Sequence, residues 1–365
     1  MKIKYQLIAF VLLIITSTMT SQAQNSDGER LFLIIGQSNA AGRDTNFDPS
    51  GLDLPSPDVF LFDDDGAFVE ANQPLNQFST IRKDIDLQGV NLGLEFGKEI
   101  NNLVGGQINL VVNARGGTKV AQWRRENDAG YFNEALARVE AAQEECGCAL
   151  EGIVWHQGEG NVSSSTGTVT SSYLASLANI VMEFREDLGN DEIPFIVGQL
   201  AQQVRFEEFN ETIQMVIDPA SEQFGEIDNV DWASSEGLTT IDPYPNTDPD
   251  ADVTHFNAES VREYGRRYAA VMADFLSPLL SVNGVTENSL VSIYPNPATD
   301  VINIETAGQL NDFSSSLYNL DGKLVRTAVN TNRISVSDVA SGIYLLEITD
   351  QQSGQTSVQK VVITK

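Results

Sequence analysis

The chain has two histidines, and each stands three residues from a carboxylate, His156 with Glu159 and His255 with Asp252. A histidine whose tautomer is fixed by an acid can take the proton of a hydroxyl, and a serine is a weak nucleophile until some base does so. Ser38 is set out for that role. It lies in the run RLFLIIGQSNAAGR at 30–43, where the apolar pentad 31–35 ends at Gly36. The pentad reads as a strand buried on both faces of a parallel sheet, and Gly36-Gln37-Ser38-Asn39 as the tight turn at its carboxyl end. In open α/β sheets ligands bind at that edge. Ala40, Ala41 and Gly42 leave room beside the hydroxyl. Such a set could transfer an acyl group from an ester to Ser38. The plainer alternative has Ser38 capping the helix that follows.

Two further strand ends bring polar groups to the same edge. The apolar run 108–112 leads into Gly116-Gly117, which turns backbone N–H groups outward, and the run 150–155 leads into His156-Gln157-Gly158-Glu159-Gly160-Asn161. Asp252 and His255, three apart, share one side of a helical turn just before the last helix. His156 reads as a buried structural partner rather than the base.

The elements that must hold these groups alternate. Strands are expected at 31–35, 58–62, 108–112, 150–155, 194–200 and 230–233, and helices at 91–103, 132–143, 173–188 and 258–276, where apolar residues recur at helical spacing. That alternation argues for an α/β fold, a parallel sheet with helices on both faces. From about residue 282 helical periodicity stops. Short β-rich runs follow at 301–305, 316–319, 323–325, 333–336, 343–348 and 358–364, with Asp321-Gly322 as a hairpin turn, and together they suggest a small β-sandwich.

At 365 residues the chain is too long for one ordinary core. Lys2 and Lys4, the apolar run 7–15 and Ser21-Gln22-Ala23 have the plan of a signal peptide occupying 1–23, too short in its apolar part to span a bilayer. The net charge of −29 argues against nucleic acid as a partner. Cys146 and Cys148 enclose one glycine; a bridge there closes a tight loop, and two thiols without a nearby histidine make a poor metal site, so both read as structural.

GQSNAAGR at 36–43, ARGGT at 114–118 followed by Trp123, WHQGEGN at 155–161 and DVTHF at 252–256 together resemble the sialate O-acetylesterase and acetylxylan esterase group of SGNH hydrolases, carbohydrate esterase family 6. The resemblance covers about 29–278. It implies a three-layer α/β/α, flavodoxin-like domain with Ser38 as nucleophile, His255 as general base and Asp252 as orienting acid, Glu159 being the alternative acid. It further implies an oxyanion hole from the N–H of Ser38, the N–H of Gly117 and the side chain of Gln157, with an acetylated glycan as substrate. No metal or organic cofactor is needed for this chemistry. Family members often carry Met where this chain has Ala40, and Ser-Asp where it has Gly160-Asn161, which bears on acyl and sugar specificity.

Tyr294-Pro295-Asn296-Pro297-Ala298-Thr299-Asp300, Leu317-Tyr318-Asn319 with Gly322, Ala340-Ser341-Gly342-Ile343-Tyr344 and Lys360-Val361-Val362-Ile363 resemble a type A sorting domain of the type IX secretion system. This implies an immunoglobulin-like β-sandwich at 288–365, after a linker at 279–287, that engages the secretion machinery and sends the chain through the periplasm to the cell surface or the medium. A carbohydrate-binding sandwich finds little support in a tract without Trp. Two rival functions stand beside the esterase: a non-catalytic glycan-binding surface protein, and a serine esterase acting on another small acyl ester. The polar, acidic loops 45–57 and 239–252 favour a hydrated glycan over a lipid.

Overall fold

The computed structural model describes residues 28–276 and, with breaks, 291–363; the expected signal peptide and linker and the Asp321-Gly322 turn lie outside the described residues. They form two compact units, divided between Leu276 and Ser277.

The first unit is built on seven strands: β1 Glu29–Gly36, β2 Val59–Phe62, β3 Phe68–Glu70, β4 Gln107–Ala114, β5 Leu150–His156, β6 Phe195–Gly198 and β7 Val230–Ala233. Its helices are α1 Ser38–Ala41, α2 Gly93–Val104, α3 Tyr131–Cys146, α4 Tyr173–Leu188, α5 Glu207–Thr212 and α6 Ala258–Leu276. The sheet order is β3-β2-β4-β1-β5-β6-β7, parallel throughout except for the β2–β3 edge pair. Leu31, Phe32, Leu33, Ile34 and Ile35 are wholly buried, as a central strand requires. The chain builds outward from β1 to one side, inserts β4 beside it, then crosses to β5 on the other. The loops after β1, β4 and β5 therefore open at the point where strand order reverses, the usual place for a ligand.

Side chains alternate along a strand, so contacts show which face each helix covers. Phe32 meets Phe96 of α2 edge-on, and a methyl group at Gly152 of β5 would collide with Met272 of α6 and stand 3.3 Å from Phe32. Trp155, three residues on from Gly152, points to the opposite face and meets Trp123 and the hydroxyl of Tyr173 in α4. Helices thus cover both faces. The β1 and β5 ends sit unusually close: Gln37 N–H donates to His156 O at 2.8 Å, and a Cβ at Gly36 would stand 2.0 Å from that same carbonyl oxygen. Only glycine fits at position 36.

Cys146 and Cys148 are disulfide-bonded around Gly147, at the end of α3. β3 and α5 go beyond the sequence reading. β3 has three residues and owes its strand form to antiparallel pairing with β2, while α5 is one and a half turns, too short to show a period.

The second unit holds β8 Val291–Tyr294, β9 Val301–Thr306, β10 Phe313–Asn319, β11 Leu324–Val329, β12 Arg333–Ser335, β13 Gly342–Asp350 and β14 Thr356–Ile363. They form antiparallel sheets ordered β11-β10-β13-β14 and β12-β9-β8. Ile302, Ile304 and Ile334 of the smaller sheet share one core with Leu317, Leu346 and Val361 of the larger.

Candidate active site

Ser38 opens α1 without capping it; the residue before the helix is Gln37, and no side chain caps this end. The Ser38 hydroxyl is free for another partner. Its Oγ lies 2.9 Å from His255 Nε2, and His255 Nδ1 lies 2.7 Å from Asp252 Oδ2. Asp252 and His255 sit in a loop before α6, not on a helical turn as their spacing suggested. Asp252 Oδ1 accepts the backbone N–H groups of Thr254 and His255, at 3.1 and 3.0 Å, so the aspartate folds the loop around itself. Across from it, Ile241 N–H donates to His255 O at 2.8 Å and Asp242 N–H to Asp252 O at 3.0 Å.

Partial burial pushes the Asp252 carboxyl up, but its bonds to the His255 ring and to the two backbone N–H groups outweigh that and bring it down to about 2. An ionised Asp252 can only accept, so Nδ1 carries the imidazole proton and the Nε2 lone pair faces the Ser38 hydroxyl. That is the protonation state a general base needs.

The cleft above Ser38 has a volume of about 380 Å³, and its lining includes Arg43, Lys83, Leu87, Gly117 and Glu159 beside Ser38 and His255. Arg43 Nη1 donates to the carbonyls of Gly42 (2.6 Å) and Leu87 (3.1 Å). Burial lowers the pKa of its guanidinium, opposed by the nearby charges of Asp252 and Glu159. A Cβ at Gly116 would stand 2.1 Å from Arg43 Nη2 and 3.4 Å from Ser38 Cβ, so cation and nucleophile flank the same glycine. Lys83 Nζ would lie 3.1 Å from a Cβ at Gly117. Among the described residues, no backbone acceptor takes the N–H of Ser38 or of Gly117.

Gln157, expected at the oxyanion, is fully buried instead. Its Nε2 is shared among Gln37 Oε1 (3.1 Å), Thr118 O (2.9 Å) and Asn161 Oδ1 (3.0 Å), which ties the β1, β4 and β5 loops together. Glu159 Oε1 accepts from Asn39 Nδ2 at 2.6 Å and lies 3.7 Å from His156 Nε2, an electrostatic contact rather than a hydrogen bond. Burial pushes the Glu159 carboxyl up, but the His156 ring, the backbone and Asn39 together hold it below the usual carboxylate range. His156 is wholly buried, with Nδ1 3.0 Å from the Tyr268 hydroxyl.

Residues 28–274 match the family described as carbohydrate esterase, sialic acid-specific acetylesterase. The chain belongs to this family. Residues 292–364 match the secretion system C-terminal sorting domain, which marks the chain for type IX secretion to the cell surface or beyond. A stretch of 76 residues is 42% identical to beta-agarase D of Zobellia galactanivorans; the match spans 20% of this chain and 15% of that protein. The fold is similar to that of a protein from Arabidopsis thaliana (TM-score 0.54, 23% identity, 68% of this chain and all of that one) and to that of NanS (TM-score 0.52, 16% identity, 68% and 98%). Among the described residues, no helix is long and apolar enough to cross a membrane.

Within the esterase family domain, sequence reasoning passed over three site residues. Arg43 and Lys83 line the cleft, and Asn39 joins Glu159 to the loop of His255. Arg43 and Asn39 belong to the GQSNAAGR run and could have been singled out from it. Lys83 sits in a polar connection without periodicity, and nothing local marks it.

Proposed function

We propose that this chain is an exported serine esterase that removes O-acetyl groups from glycans. One observation carries the reading: Ser38 Oγ, His255 and Asp252 stand in line at 2.9 and 2.7 Å beside an open cleft. In this reading Ser38 Oγ attacks the ester carbonyl while His255 Nε2 takes its proton, and Asp252 stabilises the imidazolium. The oxyanion is met by the N–H groups of Ser38 and Gly117, with Gln157 holding their loops in place. His255 returns the proton to the sugar oxygen, the sugar leaves, and an acetyl-serine remains. A water then gives its proton to His255 and attacks the acetyl carbon; acetate departs and the proton goes back to Ser38.

The substrate we favour is a carboxylate-bearing, sialic acid-type sugar rather than neutral xylan. A chain of net charge −29 repels anions, yet Arg43 and Lys83 both face the cleft. The first 23 residues then act as the signal peptide and the linker at 279–287 separates the esterase from the sorting domain. The paired sheets around one core in the second unit support an immunoglobulin-like sandwich.

The test is acetate release by the full chain and by Ser38→Ala, from O-acetylated sialoglycan, acetylated xylan and an aryl acetate. Serine-dependent release from the sialoglycan is expected. Release from xylan alone reverses the sugar assignment, hydrolysis of only the aryl acetate removes the glycan, and silence on all three favours a binding protein.

A further inference from the structure

We propose that Asn39, directed by Glu159, is a positioning residue that straps the loop of His255 to the nucleophile's own turn; this rests on the serine-esterase reading. Asn39 follows Ser38 in the chain and is 3% exposed. Its Oδ1 accepts the N–H of Phe256 at 3.0 Å, and its Nδ2 reaches the carbonyl of Thr254 at 3.3 Å. These peptide groups flank His255 on either side. One side chain therefore grips the base's backbone before and after the imidazole, and its own backbone is bonded directly to Ser38. The Ser38–His255 separation of 2.9 Å is thereby set through a single residue, although the two are 217 positions apart in the chain.

An amide can face either way, and Glu159 decides which. Its Oε1 takes Nδ2–H at 2.6 Å, so a flipped Asn39 would turn oxygen toward carboxylate and nitrogen toward the Phe256 N–H. Glu159 is held in turn. His156 Nε2 lies 3.7 Å from it, His156 Nδ1 meets the Tyr268 hydroxyl at 3.0 Å, and that hydroxyl donates to Trp155 O at 3.0 Å. The relay runs from α6 through the end of β5 to the turn of Ser38. It accounts for a buried acid and a buried histidine that the proposed triad leaves out. Arg205 adds a peripheral tie, Nη2 to Thr254 Oγ1 at 3.2 Å.

The arrangement predicts a polarity swap. Asn39→Asp removes the donor and sets one carboxylate against another, so kcat should fall by about 10²-fold, the scale of a roughly 1 Å misplacement, with KM changed little. Adding Glu159→Gln to Asn39→Asp reverses donor and acceptor across the same contact and should restore at least about tenfold. A swap that restores nothing in a folded double variant overturns the inference. A second readout needs no substrate. With two histidines in the chain, isotope labelling resolves the His255 Nδ1–H resonance, which should be sharp in wild type and in Ser38→Ala, weakened in Asn39→Asp and recovered in the double variant. Should Asn39→Asp not fold, Asn39→Ala removes the strap without adding charge and carries the same resonance test. An unchanged His255 signal in either variant overturns the inference. Wild type that cleaves no ester would instead sink the esterase reading, leaving the resonance to decide the strap by itself.

Discussion

Asp44 Oδ2 accepts the backbone N–H of Ala258 at 2.7 Å, so the loop that carries the nucleophile caps the helix that follows the base. The contact joins segments 214 residues apart, and Asp44 is buried. A carboxylate at a helix N-terminus satisfies an open N–H and favours the helix dipole. Asp44→Ala should destabilise the first unit by about 1–2 kcal/mol, lowering Tm by about 2–4 °C per kcal/mol in a domain of this size. Turnover should fall with it, because His255 is three residues from the capped N–H. Thermal melts and kcat on the full chain check this; a full loss of stability with kcat intact would separate the cap from the site.

Asp252 and Glu159 should separate under substitution. Asp252→Asn removes the charge on Nδ1 and should cost about 10⁴-fold in kcat. Glu159→Gln keeps an oxygen for Asn39 Nδ2 at the same place, and a loss below about tenfold is expected, since a neutral acceptor replaces a charged one for a difference of about 1 kcal/mol. Equal losses would overturn the assignment of Asp252 as the orienting acid.

Much of this arrangement is legible in the chain, and what is not has a common physical cause. The bounds of α4 and α6 follow from stripes such as Leu174, Leu177, Val181 and Phe184, because helical spacing is a local property. β1 and its turn are equally local. The D-x-x-H spacing placed Asp252 beside His255, yet the geometry comes from the aspartate bonding to the backbone, which period-based reasoning does not register. Asn39, Asp44 and Lys83 were passed over because their partners lie far away along the chain: Glu159 is 120 residues from Asn39, and Lys83 meets Gly117 only after β4 is laid beside β1. Gln157 is the converse case. Its motif suggested a group facing substrate, and packing turned the amide inward to three acceptors.

Acid should act on stability through Asp252. Its folded value of about 2 lies below the roughly 3.9 of an unfolded aspartate, so between those values the unfolded chain binds more protons. The stabilisation it provides is complete above about pH 4 and is lost as pH falls through about 2. Asp252→Asn lacks this contribution, and its Tm should fall less steeply than that of wild type between pH 4 and 2. Parallel Tm profiles across that window would show that the carboxylate is not depressed in the folded state.

Lys83 offers the cleanest probe of substrate charge, because it is exposed at the cleft and carries no part of the fold's core. An exposed charge pair is worth about 0.2–1 kcal/mol, which corresponds to a change in affinity of up to about fivefold. Lys83→Gln should therefore raise KM for an O-acetylated sialoglycan by about two- to fivefold and leave kcat close to wild type. The difference should shrink as salt rises from about 0.05 to 0.5 M, since screening weakens exposed interactions first. For a neutral aryl acetate the same substitution should change neither constant. If KM rises equally for the charged and the neutral ester, Lys83 shapes the cleft rather than reading a carboxylate, and the preference for an anionic sugar falls with it.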